Sequence, residues 1–396
     1  MNVAYVTAQD STNIRSFSGT GYYVPKALEM QGCKVSYIGS LKTRPYWKEK
    51  VKEKYYRGIL QKNYWFNRNP VVLKNYARQI QKALSLTNAD VLVSISSIPT
   101  TFVETTLPIV VWVDAVFPDI IDFYPEFTNM PQVTLRNAFD MEKISLNRCA
   151  HVACSSEWAA KGAKTYYHLP EKKVSVIPYG NNMEMNIGPQ AVDQMIDSKR
   201  RDKCILVFAG VHWQRKGGEM AVETTKRLNE RGLPTELHVI GSHPKGKKKY
   251  PPFIRFHGFI SKKKEEGKNR IHQLISAAHF LILPTRADCS PIVFSEFNAC
   301  GIPCLTTDVG GTTTLIKNNI NGYAFSLDST ASEYANYIED LFNHFDTYKK
   351  MCHTAYGEYT SRLNWKTSGE KMMAILHRVT HDKAHDKQSR YIDTRA

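Results

Sequence analysis

The feature that most narrows what this chain can fold into is an alternation of apolar runs and helical periods that occurs twice. The first run, Asn2-Val-Ala-Tyr-Val-Thr, predicts a buried strand. It leads into a Ser/Gly-rich turn, Ser16-Phe-Ser-Gly-Thr-Gly21, and then a helical pattern through Val24, Leu28 and Met30 that stops at Gly32. Lys34–Ile38 predicts the next strand. Strand, loop, helix and strand at this spacing make one unit of a doubly wound parallel sheet. Further strands are expected at Val91–Ile95, Ile109–Val113, His151–Cys154 and Val174–Ile177, with helical spacing between Phe139 and Arg148. Pro178-Tyr-Gly180 breaks the pattern, and the polar stretch to Arg201 reads as a linker.

The second alternation begins at Cys204. Ile205–Phe208 reads as a strand, Ala209–Gly218 as a glycine-punctuated loop, and Glu219–Glu230 as a helix closed by Gly232. Strands follow at Glu236–Ile240, Phe253–Phe256, Phe280–Leu283 and Pro303–Thr306, with helices at Ile271–Ala278 and around Val293–Ala299. The class is therefore α/β, with two Rossmann-like domains expected over 1–185 and 200–365 and a polar tail over 381–396. A chain of 396 residues has enough core for both.

Composition narrows the partners rather than the fold. The opening residues lack a basic segment followed by an apolar one, and no apolar run approaches the ~20 residues of a membrane span, so a cytosolic protein is expected. The eight cysteines form no Cys-x-x-Cys pair, and buried thiols are expected rather than a zinc site or disulfides. The formal net charge of +16 implies an anionic partner: a phosphate-rich ligand, a membrane surface or nucleic acid.

The most informative stretch is Arg286-Ala-Asp-Cys-Ser-Pro-Ile-Val-Phe-Ser-Glu-Phe-Asn-Ala-Cys-Gly-Ile-Pro303. Asp288 falls in a loop after a strand, and Glu296 lies in the first turns of the helix that follows. Between them Ser290, Pro291 and Ile292 place backbone N–H groups at a helix N-terminus, which suits a phosphate, with Pro291 in the first turn. Two acids flanking an anion site can hold hydroxyls on both sides of a diphosphate. Taken alone, the same residues also read as an ordinary helix start.

This segment resembles the E-x7-E element of the family 4 glycosyltransferases (glycosyl transferases group 1), with Asp288 where the family usually has its first Glu. The resemblance implies a GT-B fold: two Rossmann-like domains facing a central cleft, with a C-terminal helix over 366–380 crossing back to the first. It implies that Glu296 binds ribose hydroxyls and Asp288 the hydroxyls of the donor sugar. Thr307-Asp-Val-Gly-Gly311 and Asn321-Gly-Tyr-Ala-Phe325 are similar to the family's later turns, and Leu363-Asn-Trp365 to the entry of its terminal helix. Phe256-His-Gly-Phe-Ile260 is similar to the segment that meets the nucleotide base through main-chain groups, which makes Gly258 and Phe259 candidates. Where the family has an Arg after the strand-end glycine, here Gly210, this chain has Val211.

In Gln214-Arg-Lys-Gly-Gly218, Lys216 stands before a glycine pair and a helix, positioned to neutralise a departing diphosphate, and Arg215 can add a second charge. The same residues would serve as a solvated basic turn. In the first domain, Gly19, Thr20 and Gly21 open a helix and could meet donor phosphates or the acceptor, although Val24 replaces the last glycine of a dinucleotide fingerprint. Asp114 ends an apolar strand at the edge where such folds place ligands, and is expected to accept a hydrogen bond from the donor sugar; Asp119 and Asp122 are lesser candidates.

The family resemblance implies retention: the acceptor hydroxyl attacks from the face the leaving diphosphate departs from, guided by a phosphate oxygen as base. No Asp-x-Asp triplet occurs, so no metal site and no cofactor is expected, the nucleotide sugar being a substrate, UDP rather than GDP. Residues 42–82 carry twelve Lys and Arg against Glu49 and Glu53, interleaved with aromatic residues. They are expected to meet an anionic membrane surface or an acceptor groove, which suits a glycan or lipid-linked acceptor. Lys245–Lys249 and Lys262–Lys264 read as exposed loops. Two other readings remain open here: a nucleic-acid-binding or base-modifying protein, and an epimerase or inactive subunit of the same fold.

Overall fold

The computed structural model describes residues 1–43, 47–183, 187–244, 246, 249–262 and 264–393. Contacts divide the chain into two units: Met1–Tyr179 with Trp365–Ala396, and Gly180–Asn364.

The first unit contains β1 (Asn2–Val6), α1 (Thr20–Met30), β2 (Lys34–Ile38), α2 (Trp47–Gly58), α3 (Pro70–Leu84) and β3 (Val91–Ser94). It continues with β4 (Ile109–Val113), α4 (Phe117–Ile120), α5 (Gln132–Arg148), β5 (His151–Cys154), α6 (Glu157–Tyr167) and β6 (Val174–Val176). Its sheet is parallel throughout, in the order β2-β1-β3-β4-β5-β6. β3, β4 and β5 are buried along their whole length, as expected for strands covered on both faces. Residues 42–82, singled out from sequence for their basic and aromatic side chains, hold α2 and α3; residues 44–46 lie outside the described residues. α3 starts where Asn69 accepts a hydrogen bond from the Val71 N–H, with Pro70 in its first position.

The second unit contains α7 (Pro189–Asp197), β7 (Cys204–Ala209), α8 (Gly218–Glu230), β8 (Thr235–Ile240), β9 (Ile254–Phe256), α9 (Glu265–Ala277) and β10 (Phe280–Leu283). There follow α10 (Ile292–Asn298), β11 (Cys304–Thr307), α11 (Thr312–Leu315), β12 (Gly322–Phe325), α12 (Ala331–Asn343) and α13 (Phe345–Arg362). The sheet is again parallel, in the order β12-β11-β10-β7-β8-β9. The stretch expected as a linker contains α7, whose Val192 and Ile196, four residues apart, are buried in this unit's core. Residues 184–186 of that stretch lie outside the described residues. The Asn321-Gly322 turn opens an edge strand, β12, that the turn chemistry alone did not announce.

The chain then returns to the first unit as α14 (Trp365–Asp393). Trp365 stacks on Tyr23 at 6.2 Å and meets Trp112 edge-on at 6.0 Å. The Ser368 hydroxyl donates to the Pro178 carbonyl at 2.7 Å. A Cβ on Gly369 would lie 2.8 Å from the Ala27 carbonyl oxygen, so the missing side chain sets how closely α14 lies on α1. Residues expected as a tail after 380 continue this helix to Asp393, and no Gly or Pro interrupts the run. All eight cysteines are buried as thiols. No described helix is long and apolar enough to cross a membrane.

Candidate functional site

In each sheet the chain order reverses once, and in open parallel sheets the crevice at the carboxyl ends of the two strands flanking that reversal is where ligands bind. In the second unit those strands are β7 and β10. The loop after β7 carries Gly210, Arg215 and Lys216, and the loop after β10 carries Asp288 and Ser290.

The β7 loop is held by Trp213, which sequence reasoning passed over. Its ring packs against Phe208 at 5.4 Å and Phe256 at 5.8 Å, and its indole N–H donates to Glu219 at 3.1 Å. Gly218 lies directly under that ring, where a Cβ would come within 2.3 Å of ring atoms. Gly217 has φ +79°, and a Cβ there would lie 1.9 Å from the Pro284 carbonyl oxygen. Two glycines thus let the β7 loop close on the exit of β10 while α8 begins at Gly218.

The two loops are then tied by polar contacts. The Arg286 N–H donates to the Arg215 carbonyl at 2.8 Å, and the Thr285 hydroxyl to the Arg215 and Ala287 carbonyls at 3.2 and 3.1 Å. Arg215 donates its guanidinium to the Ala287 carbonyl at 2.5 Å and stands 4.0 Å from the Asp288 carboxylate. The Lys216 ammonium donates directly to that carboxylate. Asp288 is 7% exposed, and its carbonyl accepts from the Gly311 N–H at 3.1 Å, which ties it to the glycine turn after β11.

Glu296 is 6% exposed in α10 and pairs with Lys262 from the loop after β9. Lys262 was expected in an exposed basic loop; the structure makes it the counter-ion of the second acid. Residues 245, 247, 248 and 263 of the two basic runs lie outside the described residues. α10 begins at Ile292, and Pro291, expected in its first turn, occupies the cap position. The hydroxyls of Ser290, Ser295 and Ser242 are buried with no hydrogen-bond partner among the described residues, as are those of Thr134, Ser155 and Ser276 elsewhere. The Gly241 N–H donates to the Gly258 carbonyl at 2.8 Å, which places Gly258, at φ +65°, beside the end of β8. Phe259 beyond it is 66% exposed. Gly210 donates to the Ile240 carbonyl at 3.0 Å, and Val211 is 61% exposed.

In the first unit the reversal lies between β1 and β3. The β1 loop ends in three consecutive positive φ angles, at Phe17 (47°), Ser18 (56°) and Gly19 (99°), before α1 starts at Thr20. Two non-glycine residues in this region store backbone strain of the kind found at ligand-binding loops. The Thr20 hydroxyl donates to the Phe17 carbonyl at 2.6 Å, and Tyr5 donates to the Gly21 carbonyl at 3.1 Å. A Cβ on Gly21 would meet the Ser16 hydroxyl at 2.7 Å, so this loop needs glycine for close approach as well as for its turn.

Asp114 follows β4 and is exposed. Its segment is braced by Glu142, 3% exposed on α5 and not singled out from sequence. Glu142 accepts from the Ser97 hydroxyl at 2.7 Å, the Tyr167 hydroxyl at 2.8 Å and the Phe117 N–H, with Arg68 at 3.5 Å. Asp119, beside this hub, has its carboxyl pushed up to about 7 by burial, aided by the Glu142 charge and opposed by the Val116 N–H. Gly162 makes room for it: a Cβ there would lie 2.1 Å from Asp119 Oδ2. Asp122 is exposed in the left-handed region at φ 56°.

Residues 203–344 match the family model for glycosyl transferases group 1. Over 173 residues the chain is 24% identical to the UDP-Gal:alpha-D-GlcNAc-diphosphoundecaprenol alpha-1,3-galactosyltransferase of Escherichia coli, covering 42% of this chain and 44% of that protein. The chain thus spans less than half the length of the curated relative it matches. Among solved structures, the sucrose-phosphate synthase of Thermosynechococcus elongatus has a TM-score of 0.68 at 14% identity, covering 96% of this chain and all of that one. A glycosyltransferase of Rickettsia africae has a TM-score of 0.62 at 17% identity, covering 96% and 98%. Anabaena HepE in complex with UDP has a TM-score of 0.60 at 14% identity, covering 96% and 100%. These likenesses concern the fold, which is α/β and matches the GT-B glycosyltransferases.

Proposed function

We propose, from the premise that this chain belongs to the group 1 glycosyl transferases through residues 203–344 and has the GT-B fold, that it moves a sugar from a nucleotide-sugar donor to an acceptor hydroxyl with retention. The observation that carries the reading is the meeting of Lys216 and Asp288 at the β7/β10 reversal, with Glu296 buried in the helix beyond. When donor binds, the Asp288 carboxylate exchanges its ammonium partner for sugar hydroxyls, and Lys216 turns to the diphosphate. Glu296 takes the ribose hydroxyls, and the Ser290 hydroxyl and the amides around Ile292 face the phosphates. The Gly258–Phe259 main chain meets the base.

As the bond from C1 to the diphosphate oxygen breaks, negative charge grows on that oxygen and Lys216 stabilises it in a site largely screened from water. Arg215 contributes mainly by bracing Ala287, and through it Asp288. In this reading the leaving group is met by side-chain cations and the step needs no metal ion. Asp114 and the strained loop that ends in Gly19–Gly21 are assigned to the acceptor.

UDP is the favoured nucleotide: HepE was solved with UDP, and the Escherichia coli relative is named for a UDP-galactose donor and a diphosphoundecaprenol-linked acceptor. The same name supports an acceptor carried on a lipid diphosphate. The basic residues of 42–82 support a place at the inner face of a membrane, turned toward the anionic leaflet.

The test is thermal stabilisation by UDP, GDP, ADP and their sugar conjugates on wild type and Glu296→Ala. A ligand at 100 times its dissociation constant adds about 2.7 kcal/mol. Stabilisation by UDP that Glu296→Ala removes supports the donor site, and no nucleotide response overturns it. Transfer that persists in chelator supports metal independence, and turnover without any acceptor identifies an epimerase instead.

A further inference from the structure

We infer that α2 is a docking surface for an anionic lipid bilayer, lying in the membrane plane with the face that carries Trp47, Val51 and Tyr55 inserted among the headgroups. The inference deepens the membrane side of the function proposed above and rests on it.

α2 buries none of its twelve residues. Trp47 is 68% exposed, Val51 57%, Tyr55 48% and Ile59 71%. A spacing of four residues sets the first three on one face of the helix. Ile59 extends the row, since its N–H donates to the Tyr55 carbonyl at 2.9 Å and continues the helical pattern. At about 100° per residue, Lys48 and Lys52 fall along one flank of this row and Lys50 and Lys54 along the other. The Lys48 ammonium lies 5.6 Å from the Trp47 ring.

The acids of α2 lie away from this face. Glu49, its side chain 12% exposed, accepts from Lys52 at 2.9 Å and from the Tyr64 hydroxyl. Glu53, its side chain 27% exposed, pairs with Arg57 at 3.3 Å. Tyr56, on the same side as these acids, stacks on Tyr64 at 5.0 Å. The outward face therefore presents an apolar row between two rows of lysine and no carboxylate of its own. That is the charge and shape complement of an anionic headgroup layer: Trp and Tyr sit at the apolar boundary, and the lysine stems run along it with their ammonium groups among the phosphates. A surface helix adapted to water alone would direct its acid–base pairs, rather than its tryptophan, outward.

The full-length chain is floated with vesicles of phosphatidylcholine alone and of phosphatidylcholine mixed with phosphatidylglycerol, at low and high salt. The expected result is binding to the mixed vesicles only, weakened by salt. Two variants are compared: Trp47→Ser/Val51→Ser/Tyr55→Ser, and Lys48→Gln/Lys50→Gln/Lys52→Gln/Lys54→Gln. Each lowers partition onto mixed vesicles by on the order of 100-fold. UDP-induced stabilisation stays as in wild type, because the substituted side chains are exposed and lie in the other unit. A wild type that responds to UDP but ignores vesicles overturns docking and leaves the donor reading standing; the converse overturns the donor reading alone. Equal binding to neutral vesicles, or partition unchanged in both variants, overturns the inference. So does a concentration-dependent dimer that the apolar variant abolishes, or oligonucleotide binding that replaces vesicle binding. Independently of folding in those variants, a solvent-sensitive dye on Val51→Cys shifts to the blue on mixed vesicles; no shift overturns the inference.

Discussion

The Lys216 ammonium and the Asp288 carboxylate form an ion pair between the loops that leave β7 and β10, and both side chains are nearly excluded from solvent. One partner without the other leaves a charge in a site built for two. Lys216→Met should therefore destabilise the chain by about 3–5 kcal/mol. Asp288→Asn added to it should recover most of that loss. Urea unfolding of the two single variants and the double variant measures the coupling. Transfer activity should fall by about 100- to 1000-fold in Lys216→Met and should not return in the double variant. Recovery of activity together with stability would mean that the pair is only structural.

Gly217 tests whether the closeness of these loops depends on the missing side chain. Its φ of +79° and the 1.9 Å approach of a Cβ to the Pro284 carbonyl act in the same direction. Gly217→Ala should cost about 1–3 kcal/mol from backbone strain alone, with more from the clash, and should lower nucleotide affinity as the β7 loop shifts. Gly32→Ala is the control, because Gly32 has φ +81° but nothing within 4 Å of its Cβ position, so it carries the strain without the clash. A Gly217→Ala protein as stable as wild type would contradict the packing described.

Two histidines predict loss of stability in acid. His279, fully buried, accepts the Ile205 N–H at 3.0 Å on Nδ1 and meets the Arg200 carbonyl at 2.8 Å through Nε2. Burial pulls it down from 6.5 to about 4, against the bond to Arg200. His151 is also pulled down to about 4, by burial first and then by Arg378 and Lys173. The neutral form is the one the fold accepts, so this contribution is complete above 6.5 and is lost as pH falls toward 4. Unfolding free energy measured from pH 7 to 4 should fall, and the slope should be shallower in His279→Gln. An identical slope would assign the loss to other groups.

Asp119 works in the opposite sense. Its folded value of about 7 lies above the ordinary 3.8, so the fold favours the protonated acid. That contribution is present below 3.8 and is lost as pH rises through 7. Asp119→Asn, which keeps an oxygen for the Val116 N–H, should gain stability over wild type above pH 7 and show no gain near pH 4. Denaturant midpoints at the two pH values decide it.

Trp365 anchors the returning helix. It is 6% exposed and meets Tyr23, Trp112 and Tyr179 with ring centroids 5.8–6.2 Å away. Trp365→Ala should cost about 3–5 kcal/mol in the first unit. Hydrogen exchange should show the loss in α1 and α14 before it reaches the second unit's strands. Uniform loss across both units would show that the two unfold together.

The local rules were legible in the chain. The apolar runs at Ile109–Val113, His151–Cys154 and Phe280–Leu283 coincide with strands, because a strand buried on both faces needs continuous apolar residues whatever surrounds it. Asp288 and Glu296 stood out by their spacing around Ser-Pro, and the glycine pair that caps and opens α8 by its turn chemistry. Some elements were missed where the local pattern was mixed. α7 lay in a polar stretch, and its ties to the core are Val192 and Ile196, buried, with Met195 packed against them at the edge. α2 has no buried face, so its apolar row matched no expectation of a core helix.

What the sequence by itself determined is therefore the α/β class, the two successive sheets and the identity of the acids, cations and glycines at their strand ends, since these depend on short-range sterics and on burial period. Tertiary structure decided which of them meet. Lys216 and Asp288 are 72 residues apart, and Lys262 and Glu296 34 apart. Glu142 gathers Ser97, Phe117 and Tyr167 from three separate segments. Such pairings follow from strand order, because placing β10 rather than β8 on one side of β7 is what brings their loops together. Strand order is set by the summed burial of whole elements, a non-local quantity that no window of sequence contains.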